Sequence, residues 1–78
     1  MPTVLQQDGF DILIYTRDHL PRHVHVFRAG TEVVINIDTL AIRDVLGMRA
    51  KNVRKALEIV AANQEFLQSE WQRIEPIT

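Results

Sequence analysis

Apolar and polar residues alternate along the first half of the chain, and apolar positions recur every three to four residues along its last third. The first period is that of a half-buried strand, the second that of an amphipathic helix. The pattern predicts a short strand over 3–6, closed by the turn dipeptide Asp8-Gly9. A second strand follows over 10–15, with Phe10, Ile12 and Ile14 on one face and Asp11, Leu13 and Tyr15 on the other. Residues 18–22 read as a loop broken by Pro21. Strands over 23–28 and 31–37 flank Ala29-Gly30, a two-residue hairpin turn. In that register Val26 faces Val33 and Val24 faces Ile35, while His25 faces Val34 and His23 faces Asn36, so both faces are self-consistent. Asp38-Thr39 turns the chain into a short fifth strand around 40–43.

A helix is predicted over about 49–75, ended by Pro76. Val53, Leu57, Val60, Gln64, Leu67, Trp71 and Ile74 make its stripe, widened by Ala56, Ile59 and Phe66. No Ser, Thr, Asp or Asn stands just before its start. At about 1.5 Å per residue an unbroken helix would measure about 39 Å, against about 20 Å for a six-residue strand. It must therefore overhang the sheet or break near Ala62-Asn63. The expected architecture is an α+β single domain over 1–78: a small antiparallel meander of four to five strands, with one long C-terminal helix packed on one face.

Composition narrows the class. The chain has 78 residues, nine Lys/Arg against ten Asp/Glu, three His and no Cys. Zero Cys excludes a disulfide framework and any cysteine-based zinc site. A net charge of −1 argues against a simple polycationic nucleic-acid binder, though not against a local basic patch. The start holds no apolar run behind a basic segment, and no apolar stretch reaches about 18 residues, so a cytoplasmic protein without a membrane span is expected. A domain of this size is marginal alone, which makes a homo- or hetero-oligomer the expected state. One helix covers one sheet face. The other would carry Leu13, Tyr15, Phe27 and Val34 with two histidines, an apolar surface that fits a partner or ligand.

Charge is uneven along the chain. Residues 1–15 carry two acids, residues 16–55 eight bases against four acids, and residues 56–78 one base against four acids. The helix thus begins basic (Arg49, Lys51, Arg54, Lys55) and ends acidic, against its macrodipole. Solvation can absorb that cost. An anion such as a nucleic-acid phosphate at the basic end, or antiparallel pairing of two helices, would turn it to use.

The densest chemistry lies in 17–28, where His19, His23 and His25 sit among Arg17, Asp18, Arg22 and Arg28. His23 and His25 leave one strand face about 6.5–7 Å apart. Three readings stand open. His-x-His can hold a metal ion with His19 or Glu32 as third ligand, though Arg22 and Arg28 would repel a cation. Two histidines with adjacent arginines also supply the base, acid and phosphate cation that metal-free RNA cleavage needs, or simply bind phosphate. The third reading is structural, with the histidines bonded to loop backbone or filling a protein interface.

The string Asp18-His19-x-Pro21-x-His23-Val24-His25-Val26, with Met1-Pro2-Thr3-Val4, Gly30, Gly47-Met48 and Trp71, resembles a small bacterial and phage-borne family, domain of unknown function four-one-six-zero. The resemblance covers nearly the whole chain. It departs at Leu20, where a second Pro is frequent, and at the basic Arg49 and Lys51, where a capping residue is usual. The resemblance implies a component of a two-gene toxin–antitoxin module with a cognate antitoxin or toxin chain as partner. Together with the residues it yields one expectation: a toxin acting on RNA, with His23, His25 and Arg22 as catalytic groups. Arg17, Arg28, Phe27, Tyr15, Arg49, Lys51, Arg54 and Lys55 would bind the nucleic acid, without metal or other cofactor. The competing class is a non-enzymatic protein-binding module, an antitoxin or phage-type inhibitor, using the exposed sheet face.

Overall fold

The structure, a computed structural model, describes residues 3–15 and 20–74. Five strands, β1 (Thr3–Gln7), β2 (Phe10–Leu13), β3 (His23–Arg28), β4 (Thr31–Asn36) and β5 (Ile42–Leu46), precede two helices, α1 (Ala50–Ala62) and α2 (Gln64–Ile74). The strands form one antiparallel meander in the order β1-β2-β3-β4-β5, so the domain is α+β.

The β3–β4 hairpin has the register that the two-face argument demands: Val24 opposite Ile35, His25 opposite Val34, Val26 opposite Val33 and His23 opposite Asn36. Ala29 (φ 48°) and Gly30 (φ 78°) both take positive φ, the conformation whose twist matches the flanking strands. The fifth strand begins later than the pattern suggests. Leu40 (φ 64°) and the bond from Asn36 N–H to Ala41 O (2.8 Å) extend the turn to residue 41. Pairing then runs Ile35 with Ile42 and Val34 with Asp44, which leaves Arg43 as the extra residue of a β-bulge.

Of the two outcomes the length mismatch allows, the helix takes the break near Ala62-Asn63 and becomes two. Asn63 (φ −115°, ψ 22°) ends α1, and its side-chain Nδ2 donates to Ile59 O at 2.8 Å. Asn63 O then accepts from Leu67 N–H at 2.9 Å and opens α2. The break resolves the length mismatch and lets Leu67 and Trp71 reach the core. That core joins Phe10, Ile12, Ile14, Val24, Val26, Val33, Ile35 and Ile37 of the sheet side to Met48, Val53, Ala56, Ile59, Val60, Leu67 and Trp71. Each fully buried aliphatic contributes about 1.5–3 kcal/mol. Phe66, placed in the stripe by spacing, is exposed instead. Gln64, also in the stripe, donates to Ile37 O (2.7 Å) and Asp38 O (3.1 Å) and so ties α2 to the β4–β5 turn.

The opposite sheet face is not open as expected. Leu13 (3 %), Val34 (8 %) and His23 (5 %) are buried on it. Tyr15, His25 and Phe27 are half-buried.

Candidate functional site: a histidine face and a basic cleft

The pleat of β3 sorts the dense segment onto two sides. His23, His25 and Phe27 share one face, while Val24, Val26 and Arg28 share the helix side. The residues expected to form one site therefore fall into separate groups.

On the first face His25 Nδ1 lies 2.7 Å from Glu32 Oε2, and the Tyr15 ring sits 4.5 Å from the imidazole. The His23 ring meets His25 at 5.1 Å and Trp71 at 5.6 Å. His23 Nδ1 has two neighbours, Pro21 O at 2.9 Å and Arg43 Nη1 at 3.0 Å. A protonated Nδ1 donates to the carbonyl, and a bare one accepts from the guanidinium, so only one bond forms at a time. Arg43 comes from the bulge, a device that re-aims a side chain, and nothing in the chain's spacing announces it. Asn36, opposite His23, holds its Oδ1 buried with no hydrogen-bond partner. Among the described residues no group of three His, Cys, Asp or Glu is placed to hold a metal ion. Glu32, considered as a third ligand, is hydrogen-bonded to His25 instead.

Arg22 stands apart, before β3. Its Nε and Nη2 donate to Asp38 at 3.0 and 2.7 Å, and Gln68 Nε2 adds a bond to the same carboxylate at 2.9 Å. The Arg22 bond holds the Asp38 carboxyl below its ordinary range, against a smaller opposing effect of burial. Arg22 is thus already charge-matched. Arg17 and His19 lie outside the described residues.

The remaining cations converge on the helix side. A cleft of about 390 Å³ is lined by Asp8, Phe10, Arg28, Lys51, Asn52, Arg54, Lys55 and Glu58. Arg28 reaches it from the end of β3, with its guanidinium 5.0 Å from the centroid of the Phe10 ring and Nη1 donating to Asp8 O at 3.2 Å. Gly9 (φ 82°) makes that approach possible, since a Cβ there would stand 2.5 Å from Arg28 Nη1. Lys51, Arg54 and Lys55 come from α1, with Lys55 3.5 Å from Asp8. Four cations face two carboxylates. Arg49 lies outside this lining. It is exposed at the N-cap of α1, makes no side-chain cap bond, and its carbonyl accepts from Asn52 and Val53 N–H at 2.9 Å each. No acidic residue stands in the first turn of α1, so the helix dipole adds to the positive field there.

The family model for a domain of unknown function, DUF4160, matches residues 9–72. The chain belongs to the DUF4160 family. The matched span takes in β2 to β5, α1 and most of α2, and so includes the histidine face and all of the cleft lining but Asp8. No curated protein and no solved structure matches the chain. Among the described residues, no helix of this DUF4160 domain is long and apolar enough to cross a membrane.

Proposed function

We propose that this DUF4160 domain is an RNA-binding component of a toxin–antitoxin module, on the toxin side, and that it holds the RNA backbone in the basic cleft. The observation that carries the reading is the convergence of Arg28 with Lys51, Arg54 and Lys55 around one cavity. Arg28 stands more than twenty positions before the three α1 cations, and the fold brings it to them although the chain as a whole is slightly acidic. Cations clustered from separate elements are the footprint of a phosphate contact. The toxin–antitoxin setting rests on what the family resemblance implies.

Binding is favoured over cleavage. Metal-free cleavage needs base, acid and cation at one phosphate, whereas His23 and His25 lie across the sheet from Arg28. The competing module that docks through the histidine face is less favoured, because three of the six side chains expected on it, Leu13, Val34 and His23, are buried.

The test is fluorescence anisotropy of a labelled single-stranded RNA over a salt series. Three neutralised phosphates give a log–log slope of about −2. Lys51→Glu with Arg54→Glu should weaken binding at least about tenfold, whereas Arg73→Ala on the far end of α2 should leave it unchanged. No binding at low salt, or binding indifferent to the double reversal, removes the reading. Induction without the cognate partner should arrest growth, and normal growth with stable protein refutes the toxin assignment.

A further inference from the structure

Exposed aliphatic surface gathers on one edge of the sheet. β5 is an edge strand, and it carries Ile42 (44 % exposed), Val45 (44 %) and Leu46 (51 %), three of the five large apolar side chains exposed among the described residues. The other edge, β1, exposes none. An edge of unpaired backbone groups flanked by apolar side chains is a template for another strand. Ile42 opposes Ile35 and Val45 opposes Val33, and both partners are fully buried core residues, so Ile42 and Val45 face the helix side. α1 packs over β4 and leaves them uncovered. Two residues before β5, Leu40 joins Leu57 and Ala61 in lining a largely apolar groove of about 370 Å³.

We propose that β5 is the interface for a second copy of this chain, the two β5 strands pairing antiparallel across a two-fold axis to continue the sheet through both protomers. Symmetry limits the register, because opposed residues of two identical antiparallel strands have numbers with a constant sum. A sum of 88 sets Asp44 against Asp44, and a sum of 86 sets Arg43 against Arg43. Like charges directly opposed are destabilising. A sum of 87 sets Arg43 against Asp44 twice and Ile42 against Val45 twice. In a regular strand that register would fail, because Ile42 and Val45, three positions apart, would face opposite sides. The bulge at Arg43 removes the conflict. It brings Ile42 and Val45 to the helix side, while Asp44 pairs with Val34 on the histidine face and Arg43 reaches His23 there. The bulge that would blunt an ordinary edge here makes the strand complementary to itself in charge and in hydrophobicity. Even when Arg43 gives one N–H to His23, it has four more for the partner's carboxylate.

Sedimentation velocity from about 1 to 200 µM reads the association by mass action. Wild type is expected to shift to twice its 9.0 kDa mass. Val45→Lys is expected to remain monomeric. Arg43→Asp alone and Asp44→Arg alone each oppose like charges twice and should raise the dissociation constant at least about tenfold, or 1.4 kcal/mol. The double exchange Arg43→Asp/Asp44→Arg should restore dimerisation, with thermal unfolding checking that each variant is folded. The chain has no Cys, so a mixture of Ile42→Cys and Val45→Cys proteins should cross-link while neither does alone. A monomer at every concentration, a dimer that survives Val45→Lys, single exchanges that the double exchange does not rescue, or cross-linking of one variant with itself each overturn the proposal. So does a β5 that pairs only with a different protein.

Discussion

Glu32 reaches diagonally across the β3–β4 hairpin to hold His25, Oε2 to Nδ1 at 2.7 Å, with both side chains mostly buried. Hydrogen bonds to a charged group contribute about 1.5–3 kcal/mol, and removing either side chain forfeits this one. Glu32→Ala and His25→Ala should each lower stability by about 1–3 kcal/mol. A double-mutant cycle in urea should return a coupling of at least about 0.5 kcal/mol. Additive losses would mean that the pair is not coupled. His25→Ala should leave RNA affinity unchanged, because the cleft lies on the other side of the sheet.

Asp38 gives the pH dependence. Its carboxyl is held below the ordinary value of 3.8, first by the bond from Arg22 and also by that from Gln68. A carboxyl with a depressed folded-state pKa binds protons more readily when unfolded. The contribution is therefore fully present above pH 3.8 and is lost as pH falls from there through the lower folded value. The side chain is partly exposed, 43 %, so solvent screening limits the effect to about 0.2–1 kcal/mol. Asp38→Asn should be less stable than wild type at neutral pH, and the gap should narrow in urea titrations below pH 3.8. A gap that stays constant into acid would show that the charge is immaterial and that the bond geometry alone matters.

The hairpin was legible because one register had to satisfy two faces at once. The helix stripe was legible because Val53, Ala56, Val60, Leu67 and Trp71 keep the helical period. The separation of Arg28 from His25 was also readable, since residues an odd number apart on one strand take opposite faces, yet density along the chain suggests a single cluster. The break at Asn63 was one of the two outcomes the length mismatch allowed, whereas the Arg43 bulge and the burial of the histidine face were not legible. Each depends on how elements distant in sequence meet, and local pattern carries no signal for that. Gln64 and Gln68 illustrate the same limit. Helical spacing puts Gln64 in the stripe and gives Gln68 no signal, and in the fold they bond Ile37 O and Asp38.

Ala29 sits at φ 48° in the hairpin turn, a region where an L-residue with a Cβ is disfavoured by roughly 1–2 kcal/mol. Asn tolerates it, and Asn-Gly is the preferred pair for this turn. Ala29→Asn should stabilise the domain by about 0.5–1 kcal/mol, raising Tm by about 2–8 °C. The gain should leave RNA affinity and the β5 contact unaltered, since the turn is exposed and touches neither. An unchanged or lower Tm would show that another interaction sets the turn.

Gly9 tests the cleft without touching a charged residue. A Cβ there would meet Arg28 Nη1 at 2.5 Å, and the backbone φ of 82° disfavours any side chain. The obstructed atom is the far end of a flexible side chain, so Gly9→Ala should fold, at a loss of roughly 1–2 kcal/mol from the turn. The Arg28 guanidinium must then leave its place over Phe10 and its bond to Asp8 O. If Arg28 is a phosphate contact, Gly9→Ala should weaken RNA binding about as much as Arg28→Ala does. In an Arg28→Ala background the same substitution should have no further effect on affinity, while its effect on stability persists. Additive losses of affinity would place the RNA on the β1–β2 turn itself rather than on Arg28. Full affinity in the single variant would show that the guanidinium position is irrelevant and that Lys51, Arg54 and Lys55 carry the contact alone.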